Sequence, residues 1–135
     1  MEKYRHYLIG GEVMTRFFKV GDIIKVDMSP AKGHEQQGYR PAIVVSEENV
    51  HKETDLIWVL PITNTNKGYP THVPVNGRTK NNKNSVAKNQ TTGYVLCEKI
   101  KAIDPLARTA RLTDEADQEL IEECKTIIDA ITYIG

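Results

Sequence analysis

Two β-branched runs constrain this chain most, Pro41-Ala42-Ile43-Val44-Val45-Ser46 and Leu56-Ile57-Trp58-Val59-Leu60-Pro61-Ile62. Apolar runs this short, bounded by polar stretches, have the composition of buried strands. Ahead of them Ile24, Val26 and Met28 alternate with Lys25 and Asp27, the period of a strand with one buried face. Thr71–Val75 and Gly93–Cys97 add two shorter strands, with Pro74 placing the former at an edge or a bulge. From Thr113 the period lengthens: Ala116, Leu120, Cys124, Ile127, Ile128, Ile131 and Ile134 recur at three- and four-residue steps on one helical face. Thr113 or Asp114 is the expected N-cap, acids fill the first turn and Gly135 closes the end. Short strands followed by one amphipathic helix predict a mostly β fold, a small bent barrel with a C-terminal α-helix packed on it.

The chain has 135 residues, which suits one domain. Met1–Lys19 carries no clear period and Gly10-Gly11 breaks any helix there. Residues 1–19 therefore read as a poorly ordered extension, with Met14 an alternative start, and residues 20–135 as the domain. No stretch approaches the roughly 18 consecutive apolar residues of a membrane span, and the N-terminus lacks a secretory apolar run, so a cytoplasmic location is expected. Cys97 and Cys124 have no CxxC spacing and read as reduced packing residues rather than a bridge or a zinc site. A P-loop, GxGxxG, HExxH and histidine clusters at ligand spacing are all missing, so neither metal nor cofactor is expected.

Formal net charge is zero, which argues against a general nucleic-acid binder, but the distribution is uneven. From Lys67 to Lys101 seven basic residues face Glu98 alone, a local charge of +6. From Asp114 to Asp129 seven acids face Lys125 alone, a local charge of −6. A polyanion bound on one side fits this pattern. Two solvated faces fit it equally on charge alone.

Chemistry concentrates in two polar segments at strand ends: the loop from Ser29 to Arg40, long for a connection at about a dozen residues, and Ile62-Thr63-Asn64-Thr65-Asn66-Lys67. Here a resemblance emerges. Gly21-Asp22, a strand, Ser29-Pro30, then Gly33-His34-Glu35-Gln36-Gln37-Gly38-Tyr39-Arg40-Pro41 and an apolar strand resemble the opening of MazF/PemK-type toxins. Pro61-Ile62-Thr63, Lys67-Gly68-Tyr69-Pro70-Thr71-His72-Val73 and Glu98–Asp104 resemble later segments of that family, so the likeness runs from Val20 to Gly135. The resemblance implies an SH3-like barrel of the MazF/CcdB/Kid type and a homodimer. It also implies an antitoxin partner and metal-independent cleavage of single-stranded RNA.

Cleaving RNA without a metal uses the ribose 2′-OH as nucleophile, so a protein must move two protons and stabilise charge on phosphorus. Arg40, stiffened by Pro41, offers a planar fork that matches phosphate oxygens, and the family motif makes it the catalytic arginine. Thr63 corresponds to the family threonine and can donate a hydrogen bond to the same phosphate. Read alone, Arg40 is a surface ion pair, with Glu35 as partner, and Thr63 an ordinary strand-end residue; the motif reverses the odds for Arg40. Glu35 orients Arg40, reads a base or is simply solvated. His34 stacks on a base, carries a proton or is an exposed loop histidine. Gln36, Asn64 and Lys67 suit base edges and phosphate, and Thr65 and Lys99 complete the expected RNA contacts. Tyr39 and Tyr69 can stack on unpaired bases, half-buried tyrosines being the ordinary alternative. Competing with a nuclease are a CcdB-like toxin that binds gyrase without catalysis and a non-catalytic RNA-binding barrel.

Overall fold

Residues Asp22–Asp27 form a strand that is buried on both sides, and this shapes the sheet. The computed structural model describes residues 6–9, 12–28, 39–83 and 90–133. In it Ile23 joins one hydrophobic cluster while Ile24 and Val26 join another. A sheet with two apolar faces must be covered twice.

In chain order the elements are β1 (His6–Ile9), β2 (Glu12–Thr15), β3 (Asp22–Asp27), β4 (Tyr39–Val44), α1 (Glu48–Thr54), β5 (Ile57–Thr63) and β6 (His72–Pro74). They continue as α2 (Lys80–Lys83), β7 (Tyr94–Leu96), a 3₁₀ turn at Cys97–Lys99, β8 (Lys101–Ile103), β9 (Arg111–Glu115) and α3 (Gln118–Thr132). The strand path is β2-β1-β9-β3-β4-β5-β7-β6 with β8 also on β5, and it runs from β2 to β6 without closing. Pairing is antiparallel except between β1 and β9. The register between β3 and β9 shifts between Ile23 and Ile24, a bulge with Thr113 as the extra residue on β9, while ordinary alternation along β3 sends these adjacent isoleucines into separate clusters.

One cluster gathers Ile24, Val26, Ala42, Val44, Ile57 and Val59 with Phe18 and Ile103. The other gathers Ile23, Ile43, Leu60, Ile62, Val73 and Val95 beneath Leu120 and Cys124 of α3. The strand runs and the single amphipathic helix are thus where their patterns place them, and the fold is mostly β with a C-terminal helix.

The helix cap differs from expectation. Thr113 and Asp114 do not cap the helix; they belong to β9, which pairs with β3, and Asp114 is buried, accepting from Thr91 Oγ1 at 2.7 Å and Asn81 N at 2.9 Å. The cap is Asp117, whose carboxylate accepts from Leu120 N at 3.0 Å. A short helix, α1, fills the polar stretch after β4, anchored by one buried side chain: His51 Nδ1 accepts from Phe18 N at 2.9 Å. In the N-terminal segment the backbone at 6–9 and 12–15 pairs as two strands. On α3, Leu120 and Cys124 are buried and Ile127 and Ile128 pack against the same cluster, whereas Ile131 is exposed.

Candidate functional site

β4 and β5 pair with Ala42 across from Pro61, Ile43 from Leu60 and Val44 from Val59. Counted two residues beyond Ala42 and Pro61, the same register sets Arg40 across from Thr63. Side chains alternate along a strand, so Arg40 shares the face of Ala42 and Val44, and Thr63 that of Val59 and Ile57. Arg40 also pairs with Val26 on β3. Thr63 continues the row through its partner Tyr94 on β7, which pairs with Pro74 on β6. The row turns away from the cluster beneath α3, which takes the alternate residues Ile62, Val95 and Val73.

Arg40 is exposed, and among the described residues its guanidinium has no ion pair or hydrogen bond. Its fork is free for an anion. Thr63 Oγ1 accepts from Thr65 N at 3.2 Å, which orients the hydroxyl and leaves its proton to donate elsewhere. Asn64 Oδ1 accepts from Thr92 Oγ1 at 3.2 Å. Gly93 makes this approach feasible: its φ is +109°, which glycine alone adopts without strain, and a Cβ on it would run into the carbonyl oxygen of Thr63.

Beside this row lies a pair that sequence reasoning did not assemble. His72 Nε2 lies 2.9 Å from Glu98 Oε2, and Thr71 Oγ1 donates to Glu98 Oε1 at 2.8 Å. Tyr69, exposed, tilts over the His72 ring with centroids 4.9 Å apart. The His72 side chain is only 5% exposed, and its Nδ1 is buried without a hydrogen-bond partner. Burial pushes the Glu98 carboxyl up, but hydrogen bonds from His72 and Thr71 outweigh it and hold the group below its ordinary range. The two residues are 26 apart in sequence, and only the pairing of β6 with β7, followed directly by the 3₁₀ turn, joins them.

The structure redistributes the expected basic surface. Arg78 pairs with Glu123 at 2.8 Å and Glu119 at 3.7 Å, and Lys80 with Glu115 at 3.2 Å, so part of the basic stretch neutralises the acidic one. Lys67, Lys99 and Lys101 are exposed and unpaired among the described residues. Thr65, Asn64 and Lys67 follow Thr63 directly, and Lys99 neighbours Glu98. His34, Glu35 and Gln36 lie outside the described residues. A hydrogen bond donated to Cys124 and, after it, burial push the Cys97 thiol up, and both cysteines are free and buried. Among the described residues no three His, Cys, Asp or Glu side chains gather to hold a metal ion, and no helix is long and apolar enough to cross a membrane.

The bent, mostly antiparallel sheet with one C-terminal helix matches the fold of a solved MazF structure. The pattern of the family described as "PemK-like, MazF-like toxin of type II toxin-antitoxin system" matches residues 19–132, and the chain belongs to that family. It is 31% identical over 112 residues to the endoribonuclease toxin MazF of Escherichia coli K12, covering 83% of this chain and 91% of that one. It is also 31% identical over 105 residues to the endoribonuclease MazF of Staphylococcus epidermidis, covering 76% and 81%. Among solved structures, MazF of Deinococcus radiodurans superimposes with a TM-score of 0.68 at 27% identity, covering 85% of this chain and 96% of that one. A MazE–MazF structure from the same organism gives a TM-score of 0.70 at 27% identity, with 84% and 94% covered.

Proposed function

We propose that this protein is a toxin endoribonuclease that cleaves single-stranded RNA without a metal, acts as a homodimer in the cytoplasm and is silenced by a cognate antitoxin. The observation that carries this reading is the pairing of β4 with β5, whose register, continued two residues past Ala42 and Pro61, brings Arg40 opposite Thr63. The two reach one phosphate from adjacent strands about 4.8 Å apart. The ribose 2′-oxygen attacks phosphorus as its proton leaves, the new 2′-O–P bond forms, and the P–O5′ bond breaks as the leaving oxygen gains a proton. Products are a 2′,3′-cyclic phosphate and a 5′-OH. A guanidinium is a poor base, so the part of Arg40 is to hold charge on the phosphoryl oxygens. Thr63 adds a second donor to the same oxygens.

The related proteins named endoribonuclease MazF support cleavage, and the MazE–MazF assemblies of relatives support an antitoxin partner. Incubating a defined single-stranded RNA with the purified protein in EDTA separates this reading from its rivals. Cyclic-phosphate and 5′-OH ends are the expected result. Intact RNA that is nevertheless bound would favour the non-catalytic barrel, and intact, unbound RNA a protein-binding toxin.

A further inference from the structure

The row that holds Arg40 and Thr63 does not end at β5. Thr63 pairs with Tyr94 on β7, so it lies on the middle strand of three, with Arg40 to one side in the continued β4–β5 register and Tyr94 to the other. Directly opposed residues of paired strands share a face, so the phenol, the threonine hydroxyl and the guanidinium rise on the same side of the sheet. Neighbouring strands are about 4.8 Å apart. Thr63 is short and its two neighbours are long, so both can reach over it toward one ligand.

Local contacts fix Tyr94 in this place. Thr92 Oγ1 donates to Asn64 Oδ1 at 3.2 Å, and Gly93 brings its backbone so near the Thr63 carbonyl that a Cβ would not fit. Thr92, Gly93 and Tyr94 are thereby held one after another against Thr63 and Asn64. Tyr94 is half-buried, and among the described residues its hydroxyl has no hydrogen-bond partner. Its cross-strand neighbour on β6 is Pro74, whose side chain carries no polar atom to engage it. The nearest imidazole along β6 is already committed: His72 Nε2 lies 2.9 Å from Glu98 Oε2, and the side chain is only 5% exposed.

Attack by the 2′-hydroxyl makes one demand that Arg40 and Thr63 do not meet, a proton for the departing 5′-oxygen. A guanidinium and an alkyl hydroxyl hold their protons too tightly to give them up, whereas a phenol is an ordinary general acid. In-line displacement puts the attacking and leaving oxygens on opposite sides of phosphorus, so a donor is needed at one flank of the phosphate. We propose that Tyr94 is a catalytic residue, the general acid that protonates the leaving 5′-oxygen while Arg40 and Thr63 hold the nonbridging oxygens. As the P–O5′ bond breaks, its electron pair stays on O5′ and takes the phenolic proton. The 2′-hydroxyl proton passes to water, and water returns a proton to the tyrosinate. The proposal rests on the RNA-cleavage reading and names the donor that this reading leaves open.

A sulfur leaving group departs without being protonated, so replacing the bridging 5′-oxygen by sulfur at the bond that wild type cuts removes the need for an acid. Single-turnover cleavage of the ordinary RNA and of this 5′-thio RNA, both in EDTA, is compared for wild type and Tyr94→Phe with matched thermal melts. Anisotropy with 2′-O-methyl RNA, which lacks the nucleophile, measures binding by the same two proteins. Tyr94→Phe is expected to slow cleavage of the ordinary RNA about 10²-fold to 10⁴-fold, the range of a general acid. It is expected to cut the 5′-thio RNA about as fast as wild type and to bind the 2′-O-methyl RNA unchanged. Equal losses on both substrates, a loss confined to binding, or full cleavage of the ordinary RNA by Tyr94→Phe would overturn the role of Tyr94 and leave the cleavage reading standing. Ordinary RNA left intact by wild type would remove both.

Discussion

His72 Nε2 and Glu98 Oε2 lie 2.9 Å apart, tying β6 to the 3₁₀ turn after β7, and Thr71 Oγ1 holds the second carboxylate oxygen at 2.8 Å. The Glu98 carboxyl is held below its ordinary 4.5 by these bonds, against burial, which pushes the other way. A depressed folded-state pKa stabilises the fold above the unfolded value, and the contribution fades as pH falls through the folded one. Wild type is therefore expected to melt higher than Glu98→Gln near neutrality, with the difference shrinking as pH drops below 4.5. Melting both proteins from pH 7 to pH 3 checks this; a difference that grows on acidification would contradict it.

Gly93 stands at φ +109°, where a Cβ would press on the carbonyl of Thr63 and the side chain of Asn64. Gly93→Ala is expected to cost on the order of 1–3 kcal/mol in urea unfolding and to lower cleavage further by displacing Thr63. Full activity at wild-type stability would show that this close approach is not needed. The contrast is Gly77, also at positive φ but with nothing within 4 Å of its Cβ position. There alanine meets backbone strain alone, and cleavage is expected to persist.

Much of this was readable in the sequence, for local reasons. Arg40-Pro41 and Pro61-Ile62-Thr63 sit at the ends of the two β-branched runs, so both strands and their polar ends were visible together. β9 was not, because Arg-Leu-Thr-Asp-Glu has no apolar alternation and is a strand by virtue of its partner β3. The helix consequently starts later than its acidic prelude suggests. α1 depends on a single buried histidine, too little for a periodic signal. The His72–Glu98 pair unites residues far apart in sequence, and the pairing of β6 with β7 brings them together.

Lys67, Lys99 and Lys101, exposed and unpaired among the described residues, bear on control. An acidic antitoxin segment lying over this surface would compete with RNA for the same charges, and both ligands would weaken with salt as counterions return. Removing Lys67 and Lys99 together is expected to weaken both and to flatten both salt slopes, measured by anisotropy between 50 mM and 200 mM salt. Antitoxin binding insensitive to salt and to these substitutions, yet still excluding RNA, would place the inhibitor on another surface.

Arg40 and Thr63 are proposed to hold one phosphate between them. Single-turnover cleavage of a defined single-stranded RNA in EDTA, comparing wild type with folded Arg40→Ala and Arg40→Lys proteins, tests it most directly. The predicted result is 5′-OH and cyclic-phosphate ends from wild type, a loss of about 10²-fold to 10⁴-fold in Arg40→Ala, and little rescue in Arg40→Lys, which lacks the planar fork. Cleavage by Arg40→Ala at the wild-type rate would contradict the account.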